Sequence, residues 1–171
     1  MLHNEYDIII RPYEKSDYKI LRDIRNNPLI QFQLITHFKY NNPQMVTGWI
    51  RRKTRDKKGV FLVISDLHNS TLGFLQAKDI DLTNRTCYAG IALHPSNQKI
   101  GIFPKAFGMF ENFLIDNIGI RKILVEILSD NLASLKSFTR IGYSRIGIMH
   151  EHYFCNGAFY DIVLMEKIFH R

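Results

Sequence analysis

Residues 94–104, HPSNQKIGIFP, are the part of this chain whose types and spacing could hold a charged ligand. They join an apolar, β-branched run to the start of an amphipathic one. A helix start offers unpaired backbone N–H groups at a positive dipole end, and Gly101 lets the backbone come close to an anion. The chemistry is phosphate binding, by main chain more than by side chain; an ordinary turn between strand and helix has the same appearance. A second feature is the run RRKTRDKK at residues 51–58. Its six cations against Asp56 hold +5 of the net charge of +7, and the other 163 residues carry only +2. A local excess of this kind belongs either to an anionic partner or to a solvated helix tail complementing the negative dipole end. Cys87 and Cys155 form no CxxC pair, and no metal is expected.

The elements that must position these residues follow from apolar periodicity. Residues 6–11 are a β-branched run closed by Pro12. Ser16 can cap a helix on which Ile20, Leu21 and Ile24 share a face before Asn27-Pro28 stops it. Asn42 caps a second helix with Pro43 in its first turn; Met45, Val46, Trp49 and Ile50 form its stripe, and the basic run is its tail. Residues 60–65, 72–79 and 86–94 read as an antiparallel meander, with turns at 66–70 and around Asn84. From Phe103 the period turns helical: Phe107, Phe110, Leu114 and Ile118 fall three and four apart, with Glu111, Asn112 and Asp116 off the stripe. Residues 122–128 read as a strand and 132–141 as a helix closed by Gly142. Residues 143–154 and 159–168 pair across Asn156-Gly157. The predicted order is β-α-α-β-β-β-α-β-α-β-β, an α+β, three-layer α/β chain with a mixed central sheet of about seven strands and four helices.

A length of 171 residues suits one domain, residues 1–171, around a single core. Hydrophobic residues at 46% and charged residues at 23% exclude disordered and collagen-like classes. No apolar run approaches about 18 residues, and the first residues lack a basic start, an apolar stretch and a cleavage site, so no membrane partner is expected. Two cysteines are too few for a disulfide scaffold and suit a reducing cytoplasm, the expected location. A nucleic-acid partner is not expected either: there is no RNP-like motif, and no aromatic residues interleave with the basic run.

Three stretches then stand out by order and spacing. Gln98-Lys99-Ile100-Gly101-Ile102-Phe103 follows Ile91-Ala92-Leu93. Asn131-Leu132-Ala133-Ser134 opens a helix that ends in Arg140-Ile141-Gly142-Tyr143. Met149-His150-Glu151-His152-Tyr153-Phe154-Cys155-Asn156-Gly157 precedes Asp161. They resemble, in turn, the Gln/Arg-x-x-Gly-x-Gly/Ala pyrophosphate loop, the Asn-x-x-Ser helix ending in Lys-x-Gly-Phe, and the closing hairpin of the GNAT superfamily of acetyl-CoA-dependent N-acetyltransferases. The hairpin is similar to that of the branch acting on ribosomal proteins and spermidine.

This resemblance implies acetyl-CoA as co-substrate and no metal. The CoA lies beside the strand ending at Ile91, Ala92 and Leu93. Its pyrophosphate sits beyond Gln98 on the amides of residues 99–104, namely Lys99, Ile100, Gly101, Ile102, Phe103 and Pro104. A backbone N–H near the end of that strand polarises the thioester carbonyl, and Asn131 and Ser134 face the pantetheine arm. Two positions depart from the pattern. Phe103 replaces the closing Gly/Ala and is expected to turn inward onto Phe107, one helical turn on. Phe138 stands where many members carry a tyrosine that protonates the leaving thiolate. A thiol pKa of about 8.5 makes the thiolate a fair leaving group near neutrality, and Ser134, Ser137, Tyr143 or water could substitute.

An acceptor alkylamine with a pKa of about 10.4 is roughly 0.04% neutral at pH 7, so a base or water chain is expected. Candidates are Glu151 and His152 on the hairpin, Asp79 and Asp81, and Tyr88, against the plainer reading of polar strand residues facing solvent. Direct transfer in a ternary complex is expected, since neither cysteine sits beside an activating base in sequence. The resemblance places the acceptor between the first two helices and the hairpin, which singles out Arg25, Asn26, Trp49 and Tyr153, with Asp23. Arg25-Asn26 also resembles the first helix of GNAT enzymes acting on amino-sugar nucleotides. A diphosphate suits a basic neighbourhood, whereas a polycation such as spermidine wants an acidic one. The implied function is acetyl transfer to a primary amine, with an amino-sugar nucleotide or another small amine as acceptor, in a monomer or homodimer. A protein N-terminus as acceptor, or a catalytically weak CoA sensor, is the alternative.

Overall fold

The computed structural model describes residues 7–37, 39–98 and 101–170. Strand β1 (Ile8–Arg11) opens the chain, and Tyr6 lies outside the described residues. Exposed Ser16 does not start the first helix. Glu14 and Asp17 cap each other around a 3-10 turn at Lys15–Asp17, the Glu14 N–H donating to Asp17 Oδ2 at 2.7 Å. Asp17 is fully buried and takes two bonds from the Arg11 guanidinium, at 2.8 and 2.9 Å, and one from the Thr71 hydroxyl at 2.6 Å. That network pins α1 (Tyr18–Arg25), which buries Leu21 and Ile24, to the sheet.

Asn27-Pro28 ends α1 and also begins a helix absent from the predicted order, α2 (Pro28–Gln33). Asn27 Oδ1 accepts from the Ile30 N–H at 3.0 Å, and proline in the first turn gives up an N–H that has no helical partner anyway. Helix α3 (Pro43–Arg55) starts as the sequence predicts, with Asn42 Oδ1 accepting from the Met45 N–H at 2.9 Å; Val46, Trp49 and Ile50 are buried, but Met45 is exposed. Strands β2 (Val60–Asp66), β3 (Thr71–Asp81) and β4 (Thr86–Leu93) form the meander. Helix α4 (Ile102–Phe113) widens into a π turn over Leu114–Ile118. Strand β5 (Lys122–Leu128), helix α5 (Leu132–Arg140) and the hairpin β6 (Ser144–Cys155) and β7 (Ala158–Ile168) complete the chain.

The seven strands lie in the order β1-β2-β3-β4-β5-β7-β6, antiparallel except for β4 and β5. Because side chains alternate along a strand, each central strand feeds two cores. Phe61, Val63, Phe74 and Ala92 pack with Leu21, Ile24, Ile30, Val46, Trp49 and Ile50 from the α1–α3 layer. Ile64, Leu75, Cys87, Ile123 and Val125 face the other way, against Ala106, Phe107 and Phe110 of α4 and Phe138 of α5. Glu111 departs from the reading that set it off the helix stripe. It is buried because Lys167 of β7 reaches it at 3.0 Å while also donating to the Ile141 carbonyl at 2.8 Å.

Candidate active site

The parallel pair β4–β5 is short. Thr86, Cys87 and Tyr88 stand against Lys122, Ile123 and Leu124; beyond them β4 stays with β3 to Leu93 and β5 stays with β7 to Leu128. A gap opens between the two strands, and the backbone facing it can be deduced. The His94 N–H donates to the Leu72 carbonyl at 2.9 Å, and the rungs below continue in register. Backbone groups alternate sides along an antiparallel strand, so Ala89, Ile91 and Leu93 turn their N–H and C=O away from β3 and into the gap. The Leu93 carbonyl is taken by Gln98 Nε2 at 3.3 Å, which leaves the Ile91 and Leu93 N–H groups as donors there.

A cavity of about 500 Å³ occupies this gap, so it passes through the sheet and has a wall on each face. On the α4–α5 face the lining includes Ile91, Leu93, Phe103, Ser134, Ser137 and Phe138; Asn131 and Gln98 stand at its ends, and Ala92 lines it from β4. Asn131 Oδ1 caps α5 by accepting from the Ser134 N–H at 3.2 Å, which fixes both residues. Gly101 is the residue before α4, with φ of +67°, and a Cβ added there would meet nothing within 4 Å. An open, left-handed glycine at a helix start, together with two strand N–H groups turned into the gap, is what a CoA pyrophosphate and thioester require, so this face fits acetyl-CoA.

Other predicted donor residues divide. Lys99 and Ile100 lie outside the described residues. Ile102 points into the core, and Pro104 has no N–H to give, a correction to the reading that counted its amide. Phe103 turns inward as predicted, stacked on Phe107 with ring centroids 5.7 Å apart and edge-on to Phe138 at 4.9 Å. Phe138 in turn packs on Tyr143 at 5.2 Å. Tyr143 is itself buried, outside the cavity lining, and burial and the neighbouring Glu111 carboxylate push its phenol pKa up, so it is no donor to a leaving thiolate. Ser134 and Ser137 are the hydroxyls the cavity presents on this face.

On the α1–α3 face the lining is made of side chains drawn from four elements, Lys53 of α3, Gln76 and Lys78 of β3, Tyr88 of β4 and Glu126 of β5, with Ile30, Leu34, Ile35 and Thr36 behind them. Lys78 Nζ lies 5.4 Å over the Tyr88 ring and 3.1 Å from Glu126 Oε2. Glu126, Lys78 and Gln76 were not singled out from the sequence, and Lys53 only as one member of the basic run. One signal for Glu126 was available: in KILVEIL it is a lone carboxylate in a strand that after Lys122 is otherwise apolar on both faces.

The back wall is strained. Ile35 has φ of +55°. It ends α2 in a Schellman turn, the Thr36 N–H bonding to the Gln31 carbonyl at 2.9 Å and the Ile35 N–H to the Phe32 carbonyl at 3.0 Å, with isoleucine where glycine is usual. Tyr153 does not line the cavity; its hydroxyl donates to the Thr36 carbonyl at 2.9 Å and holds this wall in place.

The remaining predicted residues serve the frame or the surface. Glu151 and His152 are exposed on a bulge of β6, outside the cavity lining, where the Glu151 N–H donates to Asp161 Oδ1 at 2.8 Å. Trp49 is core, edge-on to Phe61 and Phe74 at 5.7 and 5.6 Å. Asn26 exchanges bonds with Asn41, and Asp23 pairs with neighbouring Arg22 at 2.7 Å. Asp79 is exposed, and Asp81 accepts from the Thr83 and Asn84 N–H groups in its own turn. Arg25 lies over Trp49 at 5.4 Å, next to Lys53. Cys87 is sealed in the core, where burial pushes its thiol up to about 12, and so is no nucleophile. Among the described residues no three His, Cys, Asp or Glu side chains gather as a metal site, and no helix is long and apolar enough to cross a membrane.

The acetyltransferase (GNAT) domain family model matches residues 7–144. A curated relative, spermidine N(1)-acetyltransferase of Vibrio cholerae, is 18% identical over 168 residues, 96% of each chain. Among solved structures, the spermidine N-acetyltransferase of Vibrio cholerae in complex with CoA and spermine superposes with a TM-score of 0.88 at 17% identity over 95% of each chain. A dodecameric structure of spermidine N-acetyltransferase from the same organism gives 0.81 at 16% identity over 95% of this chain and 94% of that one. The loop-to-helix junction, the splayed parallel strands and the match over most of the chain agree: this chain belongs to the GNAT family and is an acetyl-CoA-dependent N-acetyltransferase.

Proposed function

We propose that the enzyme acetylates the primary amine of a small, anionic acceptor, an amino-sugar nucleotide, with residues 1–171 acting as one catalytic domain in the cytoplasm, where its two buried thiols stay reduced. The observation that carries this reading is the charge of the acceptor wall. Lys53 and Lys78 face the cavity against a single carboxylate, Glu126, which Lys78 already pairs. The relatives named above act on spermidine, but a polyamine entering this cavity meets two lysines against one carboxylate, so that its second ammonium has no carboxylate to pair with. An acceptor bearing one amine and a phosphate tail meets a carboxylate at the reacting end and a cation at the other.

Acetyl-CoA supplies an acetyl thioester, whose C–S bond breaks as the amine nitrogen forms the new C–N bond and the sulfur departs as thiolate. The chain's own residues manage charge and protons. The Ile91 and Leu93 N–H groups are placed to hold negative charge on the carbonyl oxygen. Glu126 is placed to accept the proton an ammonium must lose before it attacks, with Lys78 and Tyr88 fixing its position. Ser134 and Ser137 offer hydroxyls to the thiolate in place of the family's tyrosine. Thiol release from acetyl-CoA, followed with an amino-sugar nucleotide, spermidine and an Ala- or Ser-starting peptide, tests the assignment. Turnover led by the amino-sugar nucleotide is the expected result; turnover led by spermidine or by the peptide overturns it.

A further inference from the structure

Five of the six cations in the basic run at 51–58 are exposed, and only Lys53 turns inward to line the cavity. Arg25, half-buried at the end of α1, is not itself among the lining residues, but its guanidinium is held at 5.4 Å over the ring of Trp49, one turn before Lys53 on α3. Neither side chain has a carboxylate within 4.0 Å among the described residues, and Arg25 Nε is buried with no hydrogen-bond partner. Burial pulls the Lys53 ammonium below the usual lysine value; Asp56 and Asp79 oppose this, while Lys78 and Arg25 add to it. Burial and Arg52 do the same to Arg25. Two partly desolvated cations that repel each other cost stability unless an anion joins them, and a guanidinium one helical turn from a cavity-facing ammonium can share a phosphate with it.

We propose that Lys53 and Arg25 form a phosphate subsite on the acceptor side of the cavity, which takes the diphosphate of the acceptor while its amine reaches Glu126. This rests on the acceptor reading above and deepens it. The subsite lies on the α1–α3 face, across the sheet from the junction at Gly101. The chain thereby holds two diphosphates in different ways, one on main-chain N–H groups at a helix start and the other on two side chains. It also divides the basic run, giving Lys53 a ligand and leaving Arg51, Arg52, Arg55, Lys57 and Lys58 as solvated surface.

The probe is inorganic pyrophosphate, titrated calorimetrically into the full-length protein saturated with CoA, so that the junction at Gly101 is already filled. Wild type should bind it. Lys53→Gln and Arg25→Gln should each weaken it by about tenfold or more, and Lys57→Gln, an exposed member of the same run, should not change it. Because Arg25→Gln disturbs the contact with Trp49, its melting temperature is measured alongside, and Lys53→Gln carries the decision if it falls. In turnover, Lys53→Gln should raise KM for an amino-sugar nucleotide by about tenfold and leave KM for the same amino sugar without its nucleotide unchanged. Absence of pyrophosphate binding to the CoA-saturated wild type, or equal binding by Lys53→Gln, overturns the proposal. Binding that depends on Lys53, together with no amine acetylated, leaves the subsite standing and overturns the acceptor reading instead.

Discussion

The two faces of the sheet that meet at the β4–β5 gap are built of different material. The donor face uses the main chain of one strand, one loop and the starts of two helices, so apart from the Ser134 and Ser137 hydroxyls its working atoms do not depend on side-chain identity. The acceptor face uses single side chains, Lys53, Lys78, Tyr88 and Glu126, from four elements. A main-chain site survives substitution around it. Phe103 and Phe138 stand where the family pattern has Gly/Ala and tyrosine, and they pack on each other at the cavity wall instead of closing it. A side-chain site changes its ligand with one residue. Donor chemistry is therefore what this chain shares with its relatives, and the acceptor wall is where single residues set the ligand.

The largest expected effect lies on the acceptor face. Glu126→Gln should lower kcat/KM by about 10²- to 10⁴-fold, the usual worth of a general base. Thermal stability should stay nearly unchanged, because a half-exposed ion pair contributes about 0–1 kcal/mol. Steady-state rates with saturating acetyl-CoA check this, and an unaffected rate would move the base elsewhere. Next is the anchor of the acceptor layer. Asp17→Asn removes one partner of a buried pair and should cost roughly 3–5 kcal/mol in urea unfolding. Burial raises the Asp17 pKa, but bonds from Arg11, Thr71 and the Glu14 N–H and the Arg11 charge outweigh it and hold the carboxyl below its ordinary value. Its stabilisation is therefore complete above the unfolded value of about 3.9 and is lost as pH falls through the lower folded value. The asparagine variant should lack that acid-dependent part of the unfolding curve.

A donor-side change should act on the donor alone. Gly101→Ala forces a side chain into a left-handed backbone at a cost of roughly 1–2 kcal/mol. With open space around that position the effect is conformational, and calorimetry should show CoA binding weakened by about tenfold with acceptor KM unchanged. The smallest effect belongs to the strained wall. Ile35→Gly relieves the positive φ and loses packing against the cluster of Leu128, Tyr153, Cys155 and Ile162. The two nearly offset, so stability should move by less than about 1 kcal/mol. Acceptor KM should rise a few-fold while acetyl-CoA KM holds. An equal rise in both would show that the two faces are not independent.

Legibility in the sequence follows the same division. The donor face lies in contiguous segments, so 94–104 and the helix opening at Asn131 could be read directly, and the succession of strands along the chain needed only periodicity and turn signals. The acceptor face is assembled from residues that become neighbours only when β3, β4 and β5 align and α3 crosses them. Lys53 could not be told from its run until the helix direction was known. Glu126 carried a signal that strand polarity alone made easy to pass over. Trp49 resembled a pocket aromatic because its stripe does not say what lies opposite; Phe61 and Phe74 do. The second helix was hidden because Asn27-Pro28 ends one helix and starts another equally well.

The most direct measurement is a crystal structure of the enzyme with CoA and an amino-sugar nucleotide. CoA is expected to enter the gap beside the Ile91 and Leu93 N–H groups, with an acceptor amine within about 3 Å of a Glu126 oxygen. An acceptor amine seated instead beside Glu151 and His152 on the outer bulge of β6, with Glu126 still closed on Lys78, would contradict it.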